Sequence, residues 1–324
     1  CAGCPHRASF FAVKEAFAAW ARNRAASPPS RPPGAARGAP PDAAGHPAGA
    51  KGPPLRANLP PRAANLPPPV VDLPPPEAKG PPPYARELPP PVKPKAVFSG
   101  DIGCYTLGNA PPLDMTDTCL CMGAGITVAQ GLHRIEPHTV NFAFIGDSTF
   151  FHTGIPGIVN AVYNRAGIIA VILDNGTTAM TGNQPHPGTG KTAPGLPAGK
   201  VDIYAMLAAL GVGHIERANP FHQKEAREAV RRALDGDGVR AILFEAPCVM
   251  VSGGGPLRFV IDGDACTGCG ACVARLGCPA MSLSARAAKK GAPLALIDAS
   301  LCTGCGVCGE LCAFGAIGPA GGGA

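Results

Sequence analysis

The fold is decided by two stretches, VNFAFIGDS at residues 140–148 and IIAVILDN at residues 168–175. Each is a short apolar run that ends in turn-forming residues. This pattern favours strands buried on both faces of a parallel sheet, although short buried helices give the same pattern. The intervening residues 156–166 have the pattern of a crossover helix. A helix at 222–234 and a strand at 241–245 continue the alternation, so we predict an α/β domain built on a parallel sheet.

Polar side chains follow both apolar runs. Asp147 follows the first run and Asn175 follows the second. Ligands of open α/β sheets lie outside the carboxyl ends of the strands, and a Mg2+ ion bound to a diphosphate takes one or two protein oxygens. Asp and Asn are also frequent in ordinary turns. From spacing alone, a magnesium-diphosphate site and a pair of turn residues are equally compatible with this sequence.

A cysteine-rich segment follows the α/β segment. It contains CTGCGAC at residues 266–272 and CTGCGVC at residues 302–308, each followed by a fourth cysteine. In bacterial two-cluster ferredoxins that fourth cysteine ligates the other cluster, so a crossed pattern predicts two [4Fe-4S] clusters. The predicted ligands are Cys266, Cys269, Cys272 and Cys312 for one cluster, and Cys302, Cys305, Cys308 and Cys278 for the other. Zinc ribbons and disulfides are the weaker alternatives, because zinc sites use cysteine pairs rather than triples at this spacing.

Composition indicates how the rest of the chain is organised. Of the 39 prolines in 324 residues, 24 fall between Ser27 and Lys95. This composition cannot bury enough apolar surface to fold, so we expect residues 27–95 to be a disordered Pro-rich insert. The predicted α/β domain then comprises residues 1–26 and 96–252, with a short helix at 12–24, and a small α+β ferredoxin-like domain spans residues 253–321.

Charge and hydropathy exclude several partners. The Pro-rich segment carries a surplus of five positive charges out of the chain's +6, and such a scattered surplus forms no basic groove for nucleic acid. No apolar run is long enough to span a bilayer and no signal peptide opens the chain, so we predict no membrane contact and a reducing cytoplasmic location. The chain begins at Cys1 rather than at Met, and we expect a further part upstream.

Four stretches of the α/β domain resemble one enzyme family. They are GDIGCYTLG at 100–108, DTCLCMGAG at 117–125, IGDSTFFHTGI at 145–155 and LDNGTTAMTGNQPHPG at 173–188. Together they resemble the large (alpha) subunit of indolepyruvate ferredoxin oxidoreductase, in the 2-oxoacid:ferredoxin oxidoreductase family. The spacing from GDS to DN is similar to the thiamine-diphosphate motif. The resemblance covers residues 1–24 and 97–317.

The resemblance implies that the α/β domain binds thiamine diphosphate with Mg2+. The implied Mg2+ ligands are the side chains of Asp147 and Asn175 and the main-chain carbonyl of Thr177. Gly146 and Ser148 complete the implied cofactor-binding set. Ser148 departs from the glycine of the general thiamine motif but agrees with this subfamily.

The resemblance also implies a third [4Fe-4S] cluster close to the thiamine. Its ligands would be Cys1, Cys4, Cys104 and Cys248. These cysteines stand in CxGC, GC and PC contexts that are similar to those of the family, while four buried thiols are the alternative. Cys119 and Cys121 have no assigned ligand role, and we expect them to pack near the cofactor.

Three histidines are candidates for acid-base catalysis at the substrate. His152 and His186 lie in the loops that follow the implied metal ligands, and His6 follows the first cysteine pair. A structural role is the alternative for each of them. The loop at residues 181–191, rich in Gly and Pro, is expected to cover the cofactor.

The activity that the resemblance implies is oxidative decarboxylation of aryl 2-oxoacids such as indolepyruvate, for which the cofactor supplies the chemistry. Coenzyme A would take the acyl group, CO2 would leave, and the electrons would pass through the [4Fe-4S] clusters to an external ferredoxin. In the family, a second α/β domain and a smaller beta subunit complete the enzyme, so we expect this chain to be inactive alone. The alternatives are an enzyme acting on pyruvate or 2-oxoglutarate, and a non-catalytic iron-sulfur electron-transfer protein.

Overall fold

The computed structural model describes residues 1–26, 93–287 and 291–321, and all of these belong to one compact unit of the chain. Of the Pro-rich insert predicted at 27–95, residues 27–92 lie outside the described residues. The predicted boundary between the two folded domains, at residue 252, stays a prediction.

Within the described ranges, six parallel strands form the central sheet. The strands are β1 (Ala96–Gly100), β2 (Thr118–Cys119), β3 (Val140–Gly146), β4 (Ile168–Asp174), β5 (His214–Ala218) and β6 (Arg240–Glu245). Their order across the sheet is β2-β1-β3-β4-β6-β5, and each pairs in parallel with its neighbours. The two apolar runs form the central strands β3 and β4, in which every residue except Asp174 is buried. The predicted α/β class is therefore confirmed.

Helices cover both faces of this sheet. They are α1 (Pro5–Ala26), α2 (Ala124–Ile135), α3 (Asp147–Thr149), α4 (Ile155–Tyr163), α5 (Ile203–Ala209), α6 (Gln223–Asp235) and α7 (Val249–Ser252). Phe142 and Phe144 of β3 pack in one core cluster with α1 and α6, while Ala143 and Ile145 pack in a second cluster with α2, α4 and α5. Because side chains alternate across a strand, a sheet covered on both faces needs a continuous apolar run, as β3 and β4 provide. Among the described helices, none combines the length and the apolar character needed to cross a membrane.

The first helix differs from its prediction, since α1 begins at Pro5 rather than at residue 12. Proline is favoured at the first position of a helix because its missing N–H would have no partner there. The consecutive residues Phe10, Phe11, Ala12 and Val13 are all buried. Burial around the whole circumference removes the one-sided periodicity on which the sequence prediction relied.

The cysteine-rich part contains two antiparallel strand pairs and two short helices. Their bounds are β7 (Phe259–Ile261), α8 (Ala271–Leu276), β8 (Met281–Ala287), β9 (Pro293–Ile297), α9 (Val307–Leu311) and β10 (Ile317–Pro319). Strand β10 pairs with β7, and β8 pairs with β9. The Arg7 guanidinium of α1 donates to the carbonyl of Gly277 at 2.6 Å, and Glu15 of α1 forms an ion pair with Arg275 of α8. Helix α1 therefore joins the sheet to the cysteine-rich part.

The sheet order places a topological switch point at the carboxyl ends of β1 and β3. The chain moves outward from β1 to β2 on one side and from β3 to β4 on the other. At such a switch point the loops diverge and leave space for a ligand. Asp101, Asp147 and Asp174 stand at the carboxyl ends of β1, β3 and β4.

We expect Phe144→Ala to lower the free energy of unfolding by about 3–5 kcal/mol, because Phe144 is fully buried and its ring lies 4.4 Å from that of Phe10. Ile135→Ala is the matched control, since Ile135 is 69% exposed and its truncation should change stability by less than about 0.5 kcal/mol. Urea unfolding of both variants, followed by circular dichroism, measures the difference. Equal free energies of unfolding for the Phe144→Ala and Ile135→Ala variants would contradict the assignment of Phe144 to the buried core.

Candidate functional site

The carboxylate of Asp147 is buried at the carboxyl end of β3 and is held by donors from three directions. Its Oδ1 accepts the Ser148 N–H at 2.7 Å, and its Oδ2 accepts the Gly176 N–H at 2.8 Å. The same Oδ2 lies 3.1 Å from Nε2 of His186. A carboxylate has about four lone-pair sites, so these contacts fix its orientation and leave acceptor capacity for a cation.

The turn after β4 arranges the other implied ligands. Oδ1 of Asn175 accepts the Thr177 N–H at 3.1 Å, and both side chains are buried. Gly176 between them has φ +73°, a left-handed conformation that glycine adopts without strain. The carbonyl of Thr177 accepts the Ala179 N–H at 3.0 Å, which leaves its second lone pair for another partner.

The carboxyl groups of Asp147 and Asp174 lie near each other at this edge of the sheet. Burial and the neighbouring charge of Asp147 raise the pKa of Asp174 to about 7. Burial would also raise the pKa of Asp147, but hydrogen bonds from His186, Asp174 and Ser148 hold it below its usual range. Buried acidic groups that repel each other are stabilised by a divalent cation, and carboxylate, amide and carbonyl oxygens are the donors that Mg2+ prefers. These donors fit the magnesium that the motif implies.

The three candidate histidines lie in different environments. His186 is buried against Asp147, whereas the side chain of His152 is exposed. His6 is 5% exposed, and burial lowers its pKa to about 4. Neither ring nitrogen of His6 makes a well-formed hydrogen bond within the described chain, although Asp147 and the Leu173 backbone lie near it. A buried polar atom without a partner costs about 1–3 kcal/mol, which fits a site completed by a polar ligand.

Sequence reasoning missed a buried network beside Asp147. The Tyr105 hydroxyl donates to the Asp101 carboxylate and accepts from Thr149 Oγ1 at 3.3 Å. Asp101 also accepts the Gly123 N–H at 2.7 Å, and burial raises its pKa to about 6. A Cβ on Gly146 would lie 2.7 Å from the Tyr105 ring, so this position excludes a side chain. The one available signal was the acidic residue at the end of β1, within GDIGCY.

Among the four cysteines of the implied third cluster, Cys104 lies near Cys4 and Cys248. Burial raises the pKa of the Cys104 thiol, and the nearby thiols of Cys4 and Cys248 raise it further. The amino group of Cys1 is also within electrostatic range of Cys104. The backbone N–H of Cys248 donates to the carbonyl of Asn175 at 3.0 Å. This cysteine group therefore adjoins the turn that carries the implied magnesium ligands.

The cysteines of the two triples group around separate cavities. A cavity of about 140 Å3 has Cys266, Cys269, Cys272 and Cys312 in its lining. A smaller cavity has Cys278, Cys302, Cys305 and Cys308 in its lining. Burial raises the pKa of the Cys308 thiol to about 12, and the thiols of Cys305, Cys278 and Cys302 contribute. Thiols crowded in this way fit iron-sulfur clusters, and the grouping corresponds to the crossed pattern.

Other predicted positions are less enclosed. Cys119 and Cys121 are exposed, which differs from the expected packing.

Within the ranges that the structure describes, no three His, Cys, Asp or Glu side chains converge as a preformed site for a single metal ion.

Comparisons with known proteins match both parts of the chain. Residues 101–244 match the family model of the thiamine pyrophosphate enzyme C-terminal TPP binding domain, and residues 256–316 match the 4Fe-4S dicluster domain. The chain is 38% identical over 244 residues to indolepyruvate oxidoreductase subunit IorA of Pyrococcus horikoshii, covering 69% of this chain and 37% of that protein. It is 43% identical over 188 residues to IorA of Methanothermobacter thermautotrophicus, covering 57% and 30%. A solved 2-oxoglutarate:ferredoxin oxidoreductase from Magnetococcus marinus aligns with TM-score 0.41 and 19% identity over 48% of this chain and 55% of that chain.

The fold and these matches define a class of protein in which a thiamine-binding α/β domain is joined to a dicluster iron-sulfur domain. Within that class, the chain belongs to the family of the indolepyruvate oxidoreductase subunit IorA, which confirms the resemblance seen in the sequence. The chain spans about a third of the length of the curated relatives it matches.

The crossed cysteine grouping predicts a specific pattern of iron loss. Cys278→Ser and Cys305→Ser should each remove the same cluster, so the double variant should lose no more iron than either single variant. Cys278→Ser combined with Cys312→Ser should remove both clusters, about eight irons in total. Iron analysis and electron paramagnetic resonance (EPR) of the anaerobically reduced proteins measure these losses. Additive iron loss in the Cys278/Cys305 double variant would contradict the grouping.

Proposed function

We propose that the chain is part of a cytoplasmic enzyme that oxidatively decarboxylates aryl 2-oxoacids, indolepyruvate among them, to acyl-CoA and CO2. Its cofactors are thiamine diphosphate with Mg2+ and three [4Fe-4S] clusters, and a ferredoxin receives the electrons. One 2-oxoacid and one coenzyme A give one acyl-CoA, one CO2, one proton and two electrons. Membership of the IorA family supports the reaction class.

The observation that carries this proposal is the set of oxygen donors around Asp147. Asp147 follows β3, while Asn175 and Thr177 follow the adjacent parallel strand β4, and the N–H of Gly176 between them donates to Asp147 Oδ2 at 2.8 Å. We assign the Mg2+ ligands to the two side chains and to the Thr177 carbonyl. Bound thiamine diphosphate supplies the nucleophilic carbon and the electron sink that decarboxylation requires.

The chain's own residues contribute binding and orientation. Asp147 and Asn175 are each held by backbone N–H donors before any ligand arrives, which reduces the cost of ordering them on binding. Thr178 Oγ1 donates to Ser148 Oγ at 2.8 Å and so joins the two ligand-bearing loops. The side chain of His152 is exposed and therefore accessible to a substrate. This histidine remains our candidate for proton transfer.

We propose that the three cysteine groups carry electrons in series. A Cβ on Gly3, in the CAGC turn, would lie 1.8 Å from Thr303 Oγ1, so this turn is in direct contact with the second triple. Ala2 and Gly3 also line the cavity that contains Cys305. Clusters bound at these places would supply one-electron carriers, ordered from the third group to the second triple and then to the first.

We propose that another α/β domain and a smaller beta subunit cover the carboxyl edge of the sheet. Apolar side chains that follow the strands at this edge are exposed: Leu107 by 69%, Leu120 by 58%, Met122 by 41% and Met180 by 55%. Apolar side chains exposed near one another often mark protein interfaces. Turnover is therefore expected of the assembled enzyme and not of this chain alone.

We expect Asp147→Ala to abolish 2-oxoacid-dependent viologen reduction by the assembled enzyme, with a loss of bound thiamine diphosphate and Mg2+. Iron content should stay unchanged, because no proposed cluster ligand contacts this carboxylate. Asp114→Asn is the matched control, since Asp114 is exposed and Asn tolerates its positive φ of 50°. Rates with indolepyruvate, pyruvate and 2-oxoglutarate identify the substrate. Full activity of the Asp147 variant would refute the proposal.

We expect Cys104→Ser to remove the third cluster, with loss of about four irons per chain. Thiamine diphosphate should still bind, because the implied magnesium ligands lie on other loops, while 2-oxoacid-dependent reduction of the remaining clusters should stop. EPR after substrate addition and after dithionite addition separates these effects. Unchanged iron content would show that the four cysteines are ordinary thiols.

A further inference from the structure

His186 connects the loop after β4 with the carboxylate after β3. Its Nε2 lies 3.1 Å from Oδ2 of Asp147, and the two side chains are only 4% and 3% exposed. The imidazole also packs against the ring of Phe151, with the ring centroids 5.7 Å apart. An aromatic ring and a buried carboxylate thus restrict the imidazole to one orientation.

The hydrogen bonds of the imidazole identify its tautomer. Nδ1 of His186 accepts the backbone N–H of Gly188 at 3.2 Å, so Nδ1 carries no proton. In a neutral imidazole the proton is then on Nε2, which donates it to Asp147. Both ring nitrogens are engaged inside the protein, and neither is free to exchange a proton with a substrate.

We propose that His186 is a positioning residue for the metal ligand Asp147 and not an acid-base catalyst. This inference rests on the proposed function, since it takes Asp147 to be a ligand of Mg2+. The imidazole N–H and the Gly176 N–H both bind Oδ2, which prevents rotation of the carboxylate when the cation enters or leaves. In this role His186 binds the ligating carboxylate and does not bind the cation itself. Loss of such a supporting hydrogen bond commonly weakens metal binding by about 10–100-fold.

The two nitrogens of His186 have separable roles. Nδ1 caps the short 3-10 helix Pro187–Thr189, and the main-chain carbonyl of His186 accepts Thr189 Oγ1 at 2.8 Å. These contacts organise the loop, whereas only Nε2 reaches Asp147. The amide nitrogen of glutamine can take the place of Nε2, and the amide oxygen of asparagine can take the place of Nδ1. The two substitutions therefore test the two contacts separately.

The experiment measures Mn2+ affinity of the assembled enzyme in the presence of thiamine diphosphate, by EPR of the free ion, after Mg2+ has been removed with EDTA. His186→Gln should retain wild-type Mn2+ affinity because it keeps the donor to Asp147. His186→Asn should bind Mn2+ about 10–100-fold more weakly, because it keeps only the acceptor for the loop. His222→Gln, at an exposed histidine before α6, is the matched control and should not change the affinity. Iron content and melting temperature check that each variant is folded.

The outcomes separate this inference from the proposed function. Wild-type affinity in the Asn variant with weakened binding in the Gln variant would mean that His186 only organises the loop, and would overturn the inference. Equal affinities in both variants, whether retained or lost, would also overturn it. If Asp147→Ala leaves Mn2+ affinity unchanged, the magnesium site itself fails. If Asp147→Ala removes Mn2+ binding but His186→Asn does not weaken it, only the role of His186 fails.

Discussion

The site depends on the parallel register between β3 and β4. This register pairs Gly146 with Leu173, so the chain leaves both strands at the same level and Asp147 emerges beside Asp174 and Asn175. Burial raises the pKa of Asp174, and the neighbouring charge of Asp147 raises it further. The register thereby brings the end of β3 beside the end of β4, where we propose that Mg2+ binds.

Helix α1 relates the iron-sulfur part to this edge of the sheet. Its first turn carries His6 toward Asp147, and Arg7 binds the carbonyl of Gly277 at the end of α8. The CAGC turn just before it packs on Thr303 in the second cysteine triple. The first half of this helix thus contacts both the sheet and the cysteine-rich part. This accounts for a core cluster that includes Phe10, Phe144, Cys272 and Cys308 together.

The sequence was sufficient to predict an element or a ligand set wherever its local pattern has one dominant physical cause. The runs that became β3 and β4 are apolar except for Asn141 and Asp174, because helices cover both faces of the sheet. The cysteine triples have a spacing that few other sites share. Helix α1 was predicted too short because its first half is buried on more than one side, with the polar residues His6 and Ser9 among the buried ones. Strands β1 and β2, at one side of the sheet, are short and only partly buried, so their patterns are weak.

The sequence by itself determined the α/β class, the family and the residue types available for metal and cluster ligation, because these follow from local periodicity and short-range spacing. Only the tertiary structure decided which of those residues meet. His186 lies 39 positions from Asp147, and Tyr105 lies 44 positions from Thr149, yet each pair is in contact inside the protein. Such contacts are set by strand order and loop packing, which no local pattern encodes. For that reason the sequence made His186 a candidate catalyst, while the fold places both its ring nitrogens in hydrogen bonds, and we propose that it positions the ligand Asp147.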